Sequence, residues 1–243
     1  MTPYMTEQTI PVDSADLRQA FSPSEMDLRE QLVRFGRWVH RLGYTPGTAG
    51  NLSVRLDANL ILSTPTGCSK GLLHAADMVI VDNQGKKLSG MRNVTSEIGM
   101  HLAVYRMRPD VQAIVHTHPP IATAFAACGK ALDQPICSEI MMTTGLVPLA
   151  PYATTGTEEV GASLEPFIPE HDAVLLANHG LLTYGSSLAD AFMKTETVEH
   201  FAQVCLSAHQ LGGAKPLHER DIEKLQQARA RYRLNASRGP SCS

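Results

Sequence analysis

Cysteine is sparse and unpaired in this chain. The five residues Cys68, Cys128, Cys137, Cys205 and Cys242 are odd in number and form no CxxC pair. A disulfide framework is thereby excluded in favour of reduced thiols and a cytoplasmic setting. A basic excess is also missing. Lys and Arg total 21 against 24 Asp and Glu, a net charge of −3, with no block of like charge. Dedicated binders of nucleic acid or of anionic membrane surfaces need the opposite balance, so neither partner is expected. No apolar run reaches the ~18–20 residues of a membrane span. The opening stretch MTPYMTEQTIPVDSADLRQ has no basic start followed by an apolar core, so no secretory signal is expected. With 243 residues, 43% of them hydrophobic, the chain is long enough to bury a sizeable core.

Residues 1–23 are polar and hold three prolines, which predicts a loosely held arm. Residues 24–243 contain no internal repeat or long linker and read as one α/β domain, with helices flanking a sheet. Ser24 is the expected cap of an amphipathic helix on which Leu28, Leu32, Phe35, Trp38, Val39 and Leu42 form the core-facing stripe, Trp38 included. Gly43 ends it. Strands are expected at 53–56, 60–64 and 78–81, separated by turn residues in the manner of antiparallel sheet. Thr95 or Ser96 should cap a helix carrying Ile98, Leu102 and Tyr105 and ended by Pro109. A strand over 111–118, a small-residue helix over 121–127, an extended 145–152 stretch and a strand over 173–177 follow. Ser187 is the expected cap of a long helix to about His209, and a charged helix over 218–231 precedes a polar tail.

Three pieces of sequence point to one chemistry. His116 and His118 stand two apart on an expected strand, so both imidazoles point to the same face. His179 follows the apolar run AVLLAN and precedes Gly180, a strand end where a side chain can project into a cleft. Glu97 opens a helix after two hydroxyl residues. Three histidines and a carboxylate suit a divalent transition metal, with zinc favoured. Such a carboxylate can also exchange with a substrate oxygen and act as a base. Spacing alone equally allows packing histidines and a glutamate that simply complements a helix dipole. His101, one turn after Glu97, reads either as support for the site or as a packing residue. His200 and His209, on the long helix, read as surface or packing residues.

Gly47-Thr48-Ala49-Gly50-Asn51, Thr64-Pro65-Thr66-Gly67 and Thr95-Ser96 offer hydroxyls, an amide, flexible backbone N–H groups and a helix start. These can hold an anion without many cations. They also suit ordinary turns. Neither GxxxxGK[ST] nor GxGxxG occurs, so a nucleotide phosphate cradle is not indicated. Cys68, in the second loop, reads as structural.

In order, GTAGNLSVR, TPTG, TSEIGMHLAVYRMRPD, AIVHTH, PLAPYATTGT and LLANHGLL resemble the class II aldolase/adducin family across roughly residues 26–210. The resemblance implies a three-layer α/β/α sandwich around a central, largely antiparallel sheet, and a homotetramer with active sites at subunit interfaces. It implies Glu97, His116, His118 and His179 as ligands of one Zn2+ per chain, with Glu97 doubling as the acid/base. Thr48, Gly50, Asn51, Thr66, Gly67, Thr95 and Ser96 match positions that hold a substrate phosphate. Tyr232, in ARYRLN, matches a catalytic tyrosine near the family's C-terminus. A second family tyrosine, used as a proton donor, has no counterpart here: its segment reads PICSEIMMTTG, with Glu139 nearby. The implied activity is a zinc-dependent lyase, an aldolase reversibly cleaving a small phosphorylated ketose through a metal-stabilised enediolate. Sugar-acid phosphate decarboxylation, or dehydration or epimerisation of a sugar phosphate, would use the same site. A non-catalytic, adducin-like binding module is the alternative of a different class; such domains lose the metal ligands, all four of which are present here.

Overall fold

The computed structural model describes residues 23–236, with side chains as far as residue 230. Of the expected arm over 1–23, all but Pro23 lies outside the described residues. Helix α1 (Pro23–Arg41) opens at that proline, so Ser24 is its second residue rather than its cap. Leu32, Phe35 and Val39 carry the buried stripe. Trp38 departs from the expected core role. It is 41% exposed, with one side of its ring against Phe35 and Phe192, at centroid distances of 5.0 and 5.6 Å.

Eight strands form one sheet: β1 (Asn51–Arg55), β2 (Leu60–Ser63), β3 (Val79–Asp82), β4 (Lys87–Ser89), β5 (Ala113–Thr117), β6 (Leu149–Ala150), β7 (Ala173–Leu176) and β8 (Gly180–Gly185). Their order is β4-β3-β2-β1-β5-β8-β7-β6. Every pairing is antiparallel except β6 with β7. The other helices are α2 (Ile98–Met107), α3 (Pro120–Ala127), α4 (Ser138–Met142), α5 (Glu158–Leu164), α6 (Leu188–Gln210) and α7 (Glu219–Ala236).

Strand alternation sorts the core into layers. Ile61, Val79, Val81, Ile114, Val174, Leu176 and Leu182 pack with α2 and α5 on one face. Leu62, Ile80, Ala113 and Val115 pack with α1 and the start of α6 on the other face. Ala173, Leu175 and Leu181 continue that second layer against α3, α4 and the middle of α6. The result is a three-layer α/β/α sandwich. Strands β5, β7 and β8 are buried along their whole length, as apolar strands covered on both faces must be.

Several expected boundaries move. Strand β1 starts at Asn51, so that residue belongs to the sheet and not to the preceding loop. Strand β5 ends at Thr117, and His118 lies one residue beyond it. Helix α2 begins at Ile98 with Glu97 in the capping position, where neither Thr95 nor Ser96 stands. Of the extended 145–152 stretch, only Leu149 and Ala150 join the sheet. Ser187 does cap α6, its side chain accepting from the Asp190 N–H at 3.1 Å.

Candidate metal centre

The site forms at one end of the central strands, where β5 ends and β1 and β8 begin. Register places Asn51 of β1 opposite His116 of β5, and Leu182 of β8 on its other side. Past the strand end, the His118 N–H donates to the Tyr44 carbonyl at 2.7 Å. That bond holds the chain extended for one further residue, so both rings still reach one point. His179 sits in the β7–β8 turn, beside Asn178 with φ 56°. Gly180 follows because a Cβ there would meet the Thr117 carbonyl at 2.6 Å and the His118 ring at 2.7 Å. At Gly50, with φ 70°, a Cβ would meet the His116 carbonyl at 2.7 Å. Both glycines are required by close backbone approach around the histidines.

The Nε2 atom of His116 lies 3.1 Å from that of His118 and 3.2 Å from that of His179. Glu97 brings Oε1 to 3.1 Å from His179 Nε2 and Oε2 to 3.4 Å from His116 Nε2. His116 is fully buried, and its Nδ1 donates to the Leu181 carbonyl at 3.0 Å. The carbonyl can only accept, so the ring proton sits on Nδ1 and the Nε2 lone pair faces the cluster. Glu97 fills the capping position of α2 with no side-chain bond to a helix N–H; its carboxylate turns to His116 and His179 instead. Glu97 Oε1 is buried with no hydrogen-bond partner of acceptable geometry, despite its closeness to His179. Converging imidazole nitrogens and an orphaned buried carboxylate oxygen fit a divalent cation, with His116, His118 and His179 as the nitrogen donors.

The electrostatics favour the ligating protonation states. Burial would push the Glu97 carboxyl up, but His116, His179 and the Asn51 amide outweigh it and hold it well below the usual carboxylate range. Burial drives His116 well below its ordinary value against the pull of Glu97. Burial, reinforced by His179, also lowers His118. The carboxylate is ionised and these two imidazoles are neutral.

The hydroxyl-rich loops stand side by side. Thr66 donates its backbone N–H to the Asn93 carbonyl at 3.1 Å, beside an isolated bridge between Pro65 and Val94. This brings Thr66 and Gly67 next to the segment leading to Thr95 and Ser96. Thr48, Thr66, Gly67 and Ser96 are exposed, whereas Thr95 and Gly50 are buried. Lys70, overlooked in the sequence, joins two of these loops. It is 1% exposed, and its ammonium donates to the Thr48 carbonyl at 3.0 Å and the Cys68 carbonyl at 2.7 Å. Burial lowers its pKa to about 8, although Cys68 and Glu97 pull it upward. Its only sequence signal is a lysine among small residues after TPTG, a signal that says nothing of burial. Asn51 does not face these loops with a free amide. Its Nδ2 donates to Glu97 Oε2 at 2.8 Å, and its Oδ1 lies 2.5 Å from His101 Nε2.

Other singled-out residues lie elsewhere. His200 and His209 are exposed on α6, and Glu139 is exposed on α4. Cys68 is half-buried against the core under α1. Tyr232 falls within α7, where its side chain lies outside the described residues.

Central strand ends at which three imidazole nitrogens and a carboxylate meet mark an α/β protein built around a candidate metal centre. Residues 30–206 match the family model for the class II aldolase and adducin N-terminal domain, and the chain belongs to that family. It is 35% identical to a 5-deoxy-D-ribulose 1-phosphate aldolase from Bacillus thuringiensis, over 81% of this chain and 92% of the relative. It is 37% identical to a 3-oxo-tetronate 4-phosphate decarboxylase from Haemophilus influenzae, over 74% of this chain and 88% of the relative. A solved L-fuculose 1-phosphate aldolase superposes with a TM-score of 0.78 at 33% identity, over 83% of this chain and 95% of that one. The family assignment makes the protein a lyase-type enzyme, and its relatives divide between aldol cleavage and decarboxylation. Among the described residues no helix is long and apolar enough to cross a membrane.

Proposed function

We propose that this protein is a zinc-dependent aldolase that reversibly cleaves a small phosphorylated ketose into a ketose phosphate fragment and an aldehyde. The observation that carries the proposal is the convergence of His116, His118, His179 and Glu97, with Glu97 Oε1 buried beside His179 and without a hydrogen bond. His116, His118 and His179, with Glu97, would hold one Zn2+ per chain. A bound divalent cation supplies a Lewis acid for the negative charge that develops on a carbonyl oxygen. Glu97 is the acid/base: Oε2 is anchored by Asn51, which leaves Oε1 to move a proton. On cleavage, the electron pair of the broken carbon–carbon bond stays on the ketose fragment, and Glu97 protonates that carbon. In synthesis it removes the same proton. Thr48, Gly50, Asn51, Thr66, Gly67, Thr95 and Ser96 hold the phosphate end, which orients the reacting carbons. Asn51, whose amide is shared between Glu97 and His101, has only its second Nδ2 hydrogen to offer the phosphate. Tyr232 is the second proton-transfer group. Residues 24–243 form one catalytic unit, working in the cytoplasm as a homotetramer with sites at subunit interfaces.

Decarboxylation of a 3-oxo sugar-acid phosphate is a second reading. The 37% identity to a decarboxylase and the lack of a tyrosine in PICSEIMMTTG favour it. Metal-loaded protein incubated with phosphorylated ketoses and with 3-oxo-acid phosphates separates the readings. Aldehyde release from a ketose phosphate supports the aldolase, and carbon dioxide release from the acid alone replaces it with the decarboxylase. Failure on both classes, with no zinc retained after dialysis, would leave the adducin-like binding role.

A further inference from the structure

Behind the candidate centre, strand β1 and helix α2 are joined by a chain of buried polar contacts. Asn51, Ser53 and Arg55 alternate onto one face of β1. Glu97 at the cap of α2 and His101 and Tyr105 within it stand four apart along one side. The two rows interlock: Asn51 Nδ2 to Glu97 Oε2 at 2.8 Å, His101 Nε2 to Asn51 Oδ1 at 2.5 Å, His101 Nδ1 to Ser53 Oγ at 2.6 Å, and Ser53 Oγ to the Tyr105 hydroxyl at 2.9 Å. Arg55 closes the row over the Tyr105 ring at 4.7 Å. His101 and Ser53 are fully buried.

Donor and acceptor roles along this chain follow from its first member. An ionised Glu97 can only accept, so Asn51 presents its NH2 there and its oxygen to His101. That oxygen accepts, so the His101 proton sits on Nε2. Burial, only partly opposed by Glu97, pushes the His101 pKa down to about 4, so the ring is neutral and Nδ1 is an acceptor. The Ser53 hydroxyl donates to it, and the Tyr105 hydroxyl donates to Ser53. Reversing the Asn51 amide would set its oxygen against the Glu97 carboxylate.

We infer that His101 is a positioning residue: as the Nε2–H tautomer it locks the Asn51 amide and thereby holds Glu97 Oε2, so that the carboxylate faces His116 and His179. The inference rests on the reading of Glu97 as ligand and acid/base. A network that merely stiffened the α2–β1 packing would affect stability and leave the centre unchanged.

The first measurement is nitrogen NMR of the zinc-loaded wild-type protein with 15N-labelled histidine. His101 is expected as the neutral Nε2–H tautomer at neutral pH; an Nδ1–H tautomer overturns the inference, since Asn51 would then have to face the other way. The second uses His101→Leu and His101→Gln, the latter keeping an N–H donor toward Asn51. In folded His101→Leu, zinc affinity by chelator competition should fall ~10–100-fold, with kcat reduced more than KM, while His101→Gln recovers most of the loss. Zinc affinity and kcat within about threefold of wild type in folded His101→Leu overturn the inference, the limit being set below that range. If His101→Leu does not fold, the tautomer and the zinc affinity of His101→Gln decide. A wild-type protein inactive on every sugar phosphate would count against the proposed function alone, because the tautomer and the zinc affinities are read without turnover.

Discussion

Replacing Lys70 by Met should change how stability depends on pH. The side chain is 1% exposed, and its ammonium is held by two neutral carbonyls, those of Thr48 and Cys68. Desolvation lowers its pKa from an ordinary 10.5 to about 8 in the folded protein. Between those values the unfolded chain keeps a proton that the folded chain has released. Wild-type stability therefore gains from Lys70 as pH rises through this window, and loses that gain as pH falls through about 8. At about 1.4 kcal/mol per pH unit, the window carries on the order of 3 kcal/mol. Met fills the same space and does not titrate. It forfeits two hydrogen bonds, worth ~1 kcal/mol each, at every pH. The stability difference between wild type and Lys70→Met should accordingly grow by about 3 kcal/mol from pH 7.5 to 10.5. Subtraction removes other lysines, including the half-buried Lys194, which desolvation also lowers. Urea unfolding of both proteins at equal metal loading measures it. A difference that stays flat within about 0.5 kcal/mol, small against the expected change, would refute the buried-ammonium argument. Saturating inorganic phosphate, if it binds between the loops that Lys70 joins, should shift the slope to higher pH.

Glu97→Gln should keep the fold and most of the zinc but lose turnover by ~10²–10⁴-fold, read as metal content and kcat on one preparation; activity within about threefold at full occupancy would end the acid/base role. The double variant His116→Ala/His118→Ala should retain no zinc by elemental analysis, because one imidazole and one carboxylate cannot replace three nitrogen donors. Gly50→Ala should destabilise by about 2–5 kcal/mol in urea, since its φ of 70° and the His116 carbonyl at 2.7 Å leave no room for a Cβ. Removing the phosphate from an accepted substrate should raise KM; equal efficiency on both forms would discard Thr66 and Ser96 as phosphate contacts.

Much of this architecture is local information. The continuous apolar runs AIV and AVLL mark strands that the sheet buries on both faces. The three- and four-residue steps in α1 and the serine cap of α6 mark those helices, because capping and amphipathicity act within a few residues. The three histidines stand out as candidate ligands because same-face spacing and a glycine turn are sequence-local features, whereas Glu97 joins them through the family resemblance. The edge strand Lys87–Ser89 carries no such signal: all three residues are exposed, and pairing with β3 alone holds it. Helices α4 and α5 are too short to display a period.

Periodicity alone gave an α/β plan with helices flanking a sheet, whereas Glu97, His116, His118 and His179 became the expected ligands only when their spacing was combined with the family resemblance. Tertiary structure decided everything that depends on which distant groups meet. It moved Asn51 from a loop onto the sheet and set it between Glu97 and His101, contacts spanning 46 and 50 positions in the chain. It buried Lys70 between two loops and left one side of Trp38 open. It also turned the Glu97 carboxylate away from its own helix and toward three imidazoles. The reason is physical: periodicity fixes which face a side chain takes, whereas hydrogen-bond partners and desolvation arise only when strands and helices far apart in sequence close on one another.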